Sequence, residues 1–350
     1  MTRPTATSDE DQPILLPVPM EARLVAELPL PPGWQYEPKW DGFRAVVGRD
    51  GTRADIRSKS GKSLARFFPE IVEALLATAE RRYILDGELI LPLNGALSFD
   101  ALQQRLHPAE SRIQRLSRET PAQLMLFDCL ALGNSDLMDA PLQDRRAALV
   151  RFHARNGTRM LRLSPASDRI ENAMRWLERS GGALDGIIAK QLDLPYRSGD
   201  RTMMKMKNYR SADCVVGGFR RTGDGQGAAS LLLGLYDETG ALNHVGFTSS
   251  FKVSERPLLL QRLEPFAGGP GFTGKAPGEP SRWNRGEESA WEPLRPELLV
   301  EVIFDQVTAG RFRHGTRFMR WRPDKAADQC TCDQLQAELR PAEVDQLLKG

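Results

Sequence analysis

Apolar and polar positions along the chain fall into two textures that meet near residue 209. Between Trp34 and Lys207, short alternating runs are interleaved with helical periods. The segments FRAVVGR (43–49) and TRADIRS (52–58) flank Asp50-Gly51, which predicts a hairpin. After Pro69, the residues Ile71, Val72, Leu75 and Leu76 recur on one face, predicting a helix with proline in its first turn. YILDGELILP (83–92) reads as a strand, and Ser98 as the cap of a short helix around Ala101–Leu106. The nearly continuous apolar run QLMLFDCLAL (123–132) reads as a buried strand. PLQDRRAALVRFHAR (141–155) predicts a helix, and another runs from Ser167 or Asp168 to a stop at Gly181-Gly182. DGIIAK (185–190) and MMKMK (203–207) read as strands.

This mixture without strict alternation predicts an α+β domain rather than a Rossmann fold. No G-x-G-x-x-G follows a strand, and no G-x-x-x-x-G-K-[ST] occurs. After Tyr209 the texture changes to short strands: DCVVGGFRR (213–221), SLLLGLY (230–236), ALNHVGF (241–247), ELLVEVIF (297–304) and TRFMRWR (316–322). One helical segment (253–266) and a Gly/Pro-rich stretch (268–280) are interposed. Five strands and one helix predict a small barrel of the OB type. The expected organisation is a disordered tail over residues 1–12, a catalytic-type domain over 13–208, and a barrel domain over 209–350 that ends in a terminal helix or loose tail.

Composition narrows this reading. A chain of 350 residues with 41% apolar content supplies two hydrophobic cores, which excludes a fibrous or wholly disordered protein. No apolar run of about 20 residues exists, and acidic residues stand where a secretory signal needs a basic start, so a cytoplasmic protein without membrane partners is expected. The formal charge of +2 decides nothing about a polyanionic partner. Cys129, Cys214, Cys330 and Cys332 have no C-x-x-C spacing and are expected to be free thiols, and the four histidines lack metal-ligand spacing.

The most informative string is Glu37-Pro38-Lys39-Trp40-Asp41-Gly42-Phe43-Arg44, which sets an amine and a guanidinium on either side of a tight Asp-Gly turn. Taken alone, it fits a solvated surface hairpin equally well. Downstream come Ser58-Lys59-Ser60-Gly61, Leu85-Asp86-Gly87-Glu88, Leu126-Phe127-Asp128, Asp185-Gly186-Ile187-Ile188-Ala189-Lys190, PYRSGDR (195–201), Lys205-Met206-Lys207 and Arg322-Pro323-Asp324-Lys325. Transferring a nucleotidyl group needs a nucleophile, cations around a phosphate, and carboxylates for a divalent metal. Crowding Lys39 with Arg44, Lys190, Lys205 and Lys207 would disfavour its charged form and attract a triphosphate.

In order and spacing these strings resemble the motifs of the covalent nucleotidyltransferase superfamily: DNA ligases, RNA ligases and mRNA-capping guanylyltransferases. The match spans Trp34 to Lys325. It is most similar to the compact bacterial ATP-dependent DNA ligases, both the stand-alone C type and the ligase domain of bacterial end-joining fusions. The resemblance implies a nucleotidyltransferase core of ATP-grasp-like antiparallel sheets with helices, followed by an OB-fold β-barrel. It also implies ATP as adenylate donor, Mg²⁺ or Mn²⁺, and nicked duplex DNA as the substrate of a monomeric, nucleoid-associated repair enzyme, working alongside end-binding and polymerase proteins.

Carried over residue by residue, Lys39 is the nucleophile that becomes lysyl-AMP. Glu37 reads the adenine amino group, Phe127 stacks on the base, and Arg44 and Glu88 contact the ribose. Glu88 and Asp185 are metal ligands. Lys190, Lys205 and Lys207 grip the AMP phosphate, with Lys59 and Arg201 at the nucleotide or nick. Arg322 and Lys325 close the list by orienting the leaving pyrophosphate, and a hinge falls near Asn208 to Asp213. Arg210, Arg220, Arg221 and Lys252 are candidate DNA contacts. Two departures affect geometry: Asp185 stands where many members have glutamate, and Lys59 where arginine is usual in S-R-x-G. Alternatives within and outside this chemistry are an RNA ligase, a capping guanylyltransferase, and a non-catalytic OB-type nucleic-acid binder.

Overall fold

The computed structural model describes residues 14–93, 96–179, 184–278 and 290–335. They divide into two compact units, with the boundary between Lys207 and Asn208. The expected tail over 1–12, the Gly181-Gly182 helix stop and the C-terminal helix or tail beyond residue 335 lie outside the described residues.

The first unit holds two large sheets beside a two-stranded ribbon of Pro92–Leu93 with Ala96–Leu97. One is built from β1 (Ala22–Leu24), β2 (Trp34–Lys39), β8 (Gly186–Gln191) and β9 (Met203–Lys207), in the order β1-β9-β8-β2. The other is built from β3 (Phe43–Asp50), β4 (Arg53–Ser58), β5 (Arg82–Ile90), β6 (Gln123–Leu132) and β7 (Leu161–Leu163), in the order β7-β6-β5-β3-β4, with the short strand Ser135–Asp136 folded back on β6. Both are antiparallel in their interiors. Each carries one parallel edge pair, β1 with β9 and β7 with β6, which alternating hydrophobicity cannot announce.

The local reasons match the sequence. Gly51 turns the β3–β4 hairpin at φ +61°, where glycine bears no penalty. The first eight residues of β6 are all buried, hence its unbroken apolar run. Helix α1 (Pro69–Leu76) buries Ile71 and Leu75 against a core that includes Leu85, Leu89, Leu124 and Leu126. Ser98 caps α2 (Phe99–Gln104), its Oγ accepting from the Ala101 amide at 3.1 Å. Helices α3 (Glu110–Glu119) and α4 (Leu142–Asn156) follow. Helix α5 (Ile170–Arg179) starts later than Ser167 or Asp168 because Ser167 is drawn into a bridge with Tyr36, exchanging hydrogen bonds of 2.7 and 3.0 Å.

The second unit is built on a six-stranded antiparallel sheet: β10 (Arg210–Arg221), β11 (Ala228–Tyr236), β12 (Leu242–Thr248), β13 (Leu299–Phe304) and β14 (Arg317–Trp321), in the order β12-β11-β10-β13-β14, with the two-residue strand Glu292–Pro293 also paired to β10. Its edge strands approach at a parallel bridge between Thr248 and Thr316, and α6 (Arg256–Leu263) lies between β12 and β13 in the chain. This is the strand order of a partly open OB fold. Among the described residues the edges meet in that bridge, without the ladder a closed barrel would have. Val216, Phe219, Leu232, Val300 and Leu263 form its core. All four cysteines are free thiols, and Cys129, Cys214 and Cys330 are buried. No helix among the described residues is long and apolar enough to cross a membrane.

Candidate functional site

The two sheets of the first unit come together where β2 hands over to β3, the segment that carries Lys39, Gly42 and Arg44. Gly42 is required there, because a Cβ would stand 2.0 Å from the carbonyl oxygen of Leu89 on β5. Gly186 answers the same need in the other sheet. Its φ is +148°, and a Cβ would stand 2.0 Å from the carbonyl oxygen of Met206 on β9. Register sets Gly186 opposite both Lys39 on β2 and Lys207 on β9.

A cavity of about 150 Å³ opens at this junction. At one end Glu37, Lys190 and Phe127 form its wall. Lys190 Nζ lies 2.9 Å from Glu37 Oε2, and both side chains are buried. Gln35 donates to the other Glu37 oxygen at 2.7 Å. The Lys190 ammonium has no well-aligned hydrogen-bond acceptor among the described residues and rests 4.5 Å from the Phe127 ring centre, while the Arg44 guanidinium rests 4.6 Å from the same ring. Lys190 therefore belongs to the Glu37–Phe127 end. Expected beside Lys205 and Lys207 on a phosphate, it lines the same cavity as Lys205 while its charge is paired with the buried Glu37.

The other end is cationic. Lys39, Lys59 and Lys205 all line it. Lys39 is ion-paired with Asp185, so its nearest neighbour is a carboxylate rather than the ring of cations the sequence suggests. Burial lowers the pKa of Lys205, with the nearby charges of Lys39, Lys207 and Lys59 adding repulsion. Lys207 lies two residues along β9, on the same face as Lys205. Asp185 is 8% exposed, and its Oδ1 has no hydrogen-bond partner among the described residues. Glu88 lines the cavity, and burial pushes its carboxyl up to about 7 against the pull of Arg44 and Lys39.

Arg44 is held by Asp86, a fully buried carboxylate that accepts from its Nε and Nη2 at 2.7 and 2.6 Å. Tyr196 donates to the same carboxylate at 2.6 Å and accepts from the Met20 amide at 2.9 Å. The segment from Pro19 to Ala22 thus forms part of the cavity wall, and its Glu21 carboxylate bridges Lys59 at 3.0 Å and Arg201 at 3.2 Å. Asp86, Tyr196, Met20 and Glu21 were not legible as site residues. Asp86 and Tyr196 sit inside quoted motifs, whereas nothing in the sequence ties Glu21 to positions 59 and 201.

Arg322 and Lys325 lie in the second unit. There they meet Asp213 on β10, Arg322 Nη1 at 2.7 Å from Oδ1 and Lys325 Nζ at 2.7 Å from Oδ2. Arg322 also pairs with Asp324 at 2.9 Å.

A metal fits the donor set in a limited way. Asp185 offers an orphaned carboxylate oxygen and Glu88 a second carboxyl group. No cluster of three or more His, Cys, Asp or Glu side chains suited to a metal exists among the described residues. Two carboxylates, completed by water and phosphate oxygens, suit Mg²⁺ or Mn²⁺ rather than zinc.

An amine at the wall of a pocket with an aromatic, acidic end and a cationic end, carried on two sheets and followed by an OB-type unit, defines a covalent nucleotidyltransferase. The family model for the ATP dependent DNA ligase domain matches residues 24–207, and that for the ATP dependent DNA ligase C terminal region matches residues 224–325. The chain belongs to the ATP-dependent DNA ligases. It is 43% identical to DNA ligase C1 of Mycolicibacterium smegmatis, with 94% of this chain and 97% of that protein covered. It is 42% identical to DNA ligase C of Mycobacterium tuberculosis, with 93% and 96% covered. A solved Lig E DNA ligase shares the fold, with a TM-score of 0.54 at 16% identity over 88% of this chain and all of that one.

Proposed function

We infer that this protein is an ATP-dependent ligase that seals nicks in duplex DNA through a lysyl-adenylate. The observation that carries the reading is Lys39, an amine reachable from a cavity whose Glu37–Phe127 end suits a purine and whose Lys59–Lys205 end suits phosphates. With the base against Phe127 and its amino group facing Glu37, the phosphates run toward Lys205 and Lys207. Lys39 Nζ, once freed from Asp185 and deprotonated, attacks the α-phosphorus. A nitrogen–phosphorus bond forms, and the bond to pyrophosphate breaks. The adenylate then passes to the 5′-phosphate of the nick, and the 3′-hydroxyl displaces AMP to leave a phosphodiester.

Arg44, oriented by Asp86, and Glu88 face the ribose. Lys190 supports Glu37 at the base rather than the phosphate. Asp185 and Glu88 would hold the divalent metal, which supplies charge neutralisation on the phosphates when bound. Arg322 and Lys325 serve the leaving pyrophosphate. Nick recognition rests on phosphate contacts, with little base reading. End-binding and polymerase proteins of break repair are the partners we propose, in the bacterial cytoplasm where such DNA lies.

Intact mass before and after incubation with ATP tests the first step. The wild-type chain should gain one adenylate, and Lys39→Ala none, with strand sealing lost as well. Labelling by GTP but not ATP, or undiminished sealing by Lys39→Ala, contradicts the reading. Preference for a nicked RNA over a nicked DNA duplex would favour the RNA-ligase alternative.

A further inference from the structure

Lys59 at the cationic end of the cavity, and Arg201 joined to it through Glu21, are already engaged by an anion of the protein. Glu21 sits on the wall formed by residues 19–22, with one carboxylate oxygen 3.0 Å from Lys59 Nζ and the other 3.2 Å from Arg201 Nε. We propose that Glu21 is a resident counter-anion: its carboxylate fills, in the ligand-free enzyme, the place between Lys59 and Arg201 that a substrate phosphate takes, and so makes this anion site selective for groups that out-compete a carboxylate. The proposal rests on the nucleotidyl-transfer reading above and adds a specificity-determining residue to it.

Three observations support displacement over a structural role. The segment carrying Glu21 is fixed without its side chain: the Glu21 amide donates to the Asp200 carbonyl at 2.7 Å, the Met20 amide to Tyr196 at 2.9 Å, and Arg44 to the Met20 carbonyl at 3.1 Å. The cations are mostly solvated, Lys59 at 60% and Arg201 at 72% side-chain exposure, so both can leave Glu21 for another anion without being uncovered from a buried state. The carboxylate is ionised across the working range, since hydrogen bonding to Lys59 and the nearby charges of Lys59 and Arg201 hold it below the usual glutamate range. A phosphate dianion carries more charge and more acceptor oxygens than a carboxylate and exchanges for it, whereas a neutral hydroxyl does not.

The phosphate has two sources, the triphosphate of ATP and the 5′-phosphate of the nick. Full-length wild type, Glu21→Gln and Glu21→Ala are compared in three measurements: binding to a nicked duplex with a 5′-phosphate, binding to the same duplex with a 5′-hydroxyl, and KM for ATP in lysyl-AMP formation. Duplex binding is measured without divalent metal, so no turnover occurs. Both variants should bind the phosphorylated nick roughly two- to tenfold more tightly than wild type, or show a KM for ATP lowered by that factor, with no change on the hydroxyl nick. Which arm moves identifies the source. The proposal is overturned if neither arm moves, or if both variants bind phosphate more weakly, as they would were Glu21 merely positioning Lys59 and Arg201. Failure of wild type to take up adenylate would sink the nucleotidyl-transfer reading instead, while the nick-binding arm would still decide the role of Glu21.

Discussion

At the residue scale, the site is governed by how buried charge is paired. Asp86 is fully buried yet accepts from Arg44 twice and from Tyr196 once, and this network ties β3, β5 and the wall segment together. Tyr196 is itself 1% exposed, so its hydroxyl has no water to fall back on. In Tyr196→Phe, Asp86 loses a donor and the Met20 amide loses its acceptor. We expect a loss of about 1–3 kcal/mol, seen as a lower denaturant midpoint with an unchanged m-value. Because Arg44 keeps Asp86, the variant should still form lysyl-AMP, at a raised KM for ATP. An unaltered midpoint would mean that the hydroxyl is not the link drawn here. The motifs made Arg44 and Glu88 visible, but the partner that aims Arg44 depends on a cross-strand neighbour and a residue 110 positions away.

At the scale of elements, glycines decide where strands come close enough to build the pocket. Gly51 and Gly186 both have positive φ, but the first faces open space and the second faces Met206. Gly51→Ala should cost only the backbone term, about 1 kcal/mol. Gly186→Ala adds a collision with the β9 backbone beside Asp185, and should destabilise by several times more while sharply reducing lysyl-AMP formation. Thermal or denaturant unfolding of the two variants side by side checks this, and equal effects would contradict it. The element pattern was largely legible: the Asp50-Gly51 hairpin, the buried β6 and the Ser98 cap all stand where periodicity and capping chemistry set them. The start of α5 was not: the backbone of Ser167 is held in a bridge with Tyr36, and its hydroxyl accepts from the Arg169 amide just ahead of the helix, which begins only at Ile170. The parallel edge strands were not legible either, since nothing within a strand encodes the direction of its neighbour.

At the scale of the whole molecule, the second unit carries its own pH sensitivity. His244 is 5% exposed beside Arg311, whose guanidinium lies 2.7 Å from its Nδ1, and burial, followed by the charges of Arg311 and Arg220, pushes it down to about 3 from an ordinary 6.5. The folded state keeps this ring neutral while the unfolded chain protonates it below pH 6.5. The stability tied to neutral His244 is therefore complete above that pH and is lost as pH falls toward 3. His244→Gln, which can still accept from Arg311, should flatten the acid limb, recovering on the order of 1–3 kcal/mol near pH 4.5 relative to neutral pH. Unfolding midpoints at pH 7.5 and 4.5 for both proteins provide the check, and parallel pH profiles would refute it.

The sequence by itself carried, in ordered strings from Trp34 to Lys325 that resemble the ligase motifs, the reaction chemistry we propose, because such chemistry needs an amine, cations and carboxylates of particular types in a particular order. It also determined the two-part architecture, which hydrophobic periodicity writes directly. Only the tertiary structure decided which charges meet: Lys39 with Asp185, Lys190 with Glu37, Glu21 with Lys59 and Arg201, Asp213 with Arg322 and Lys325. An ion pair is chosen by distance and burial, and these are properties of the packed strands rather than of any one segment of the chain.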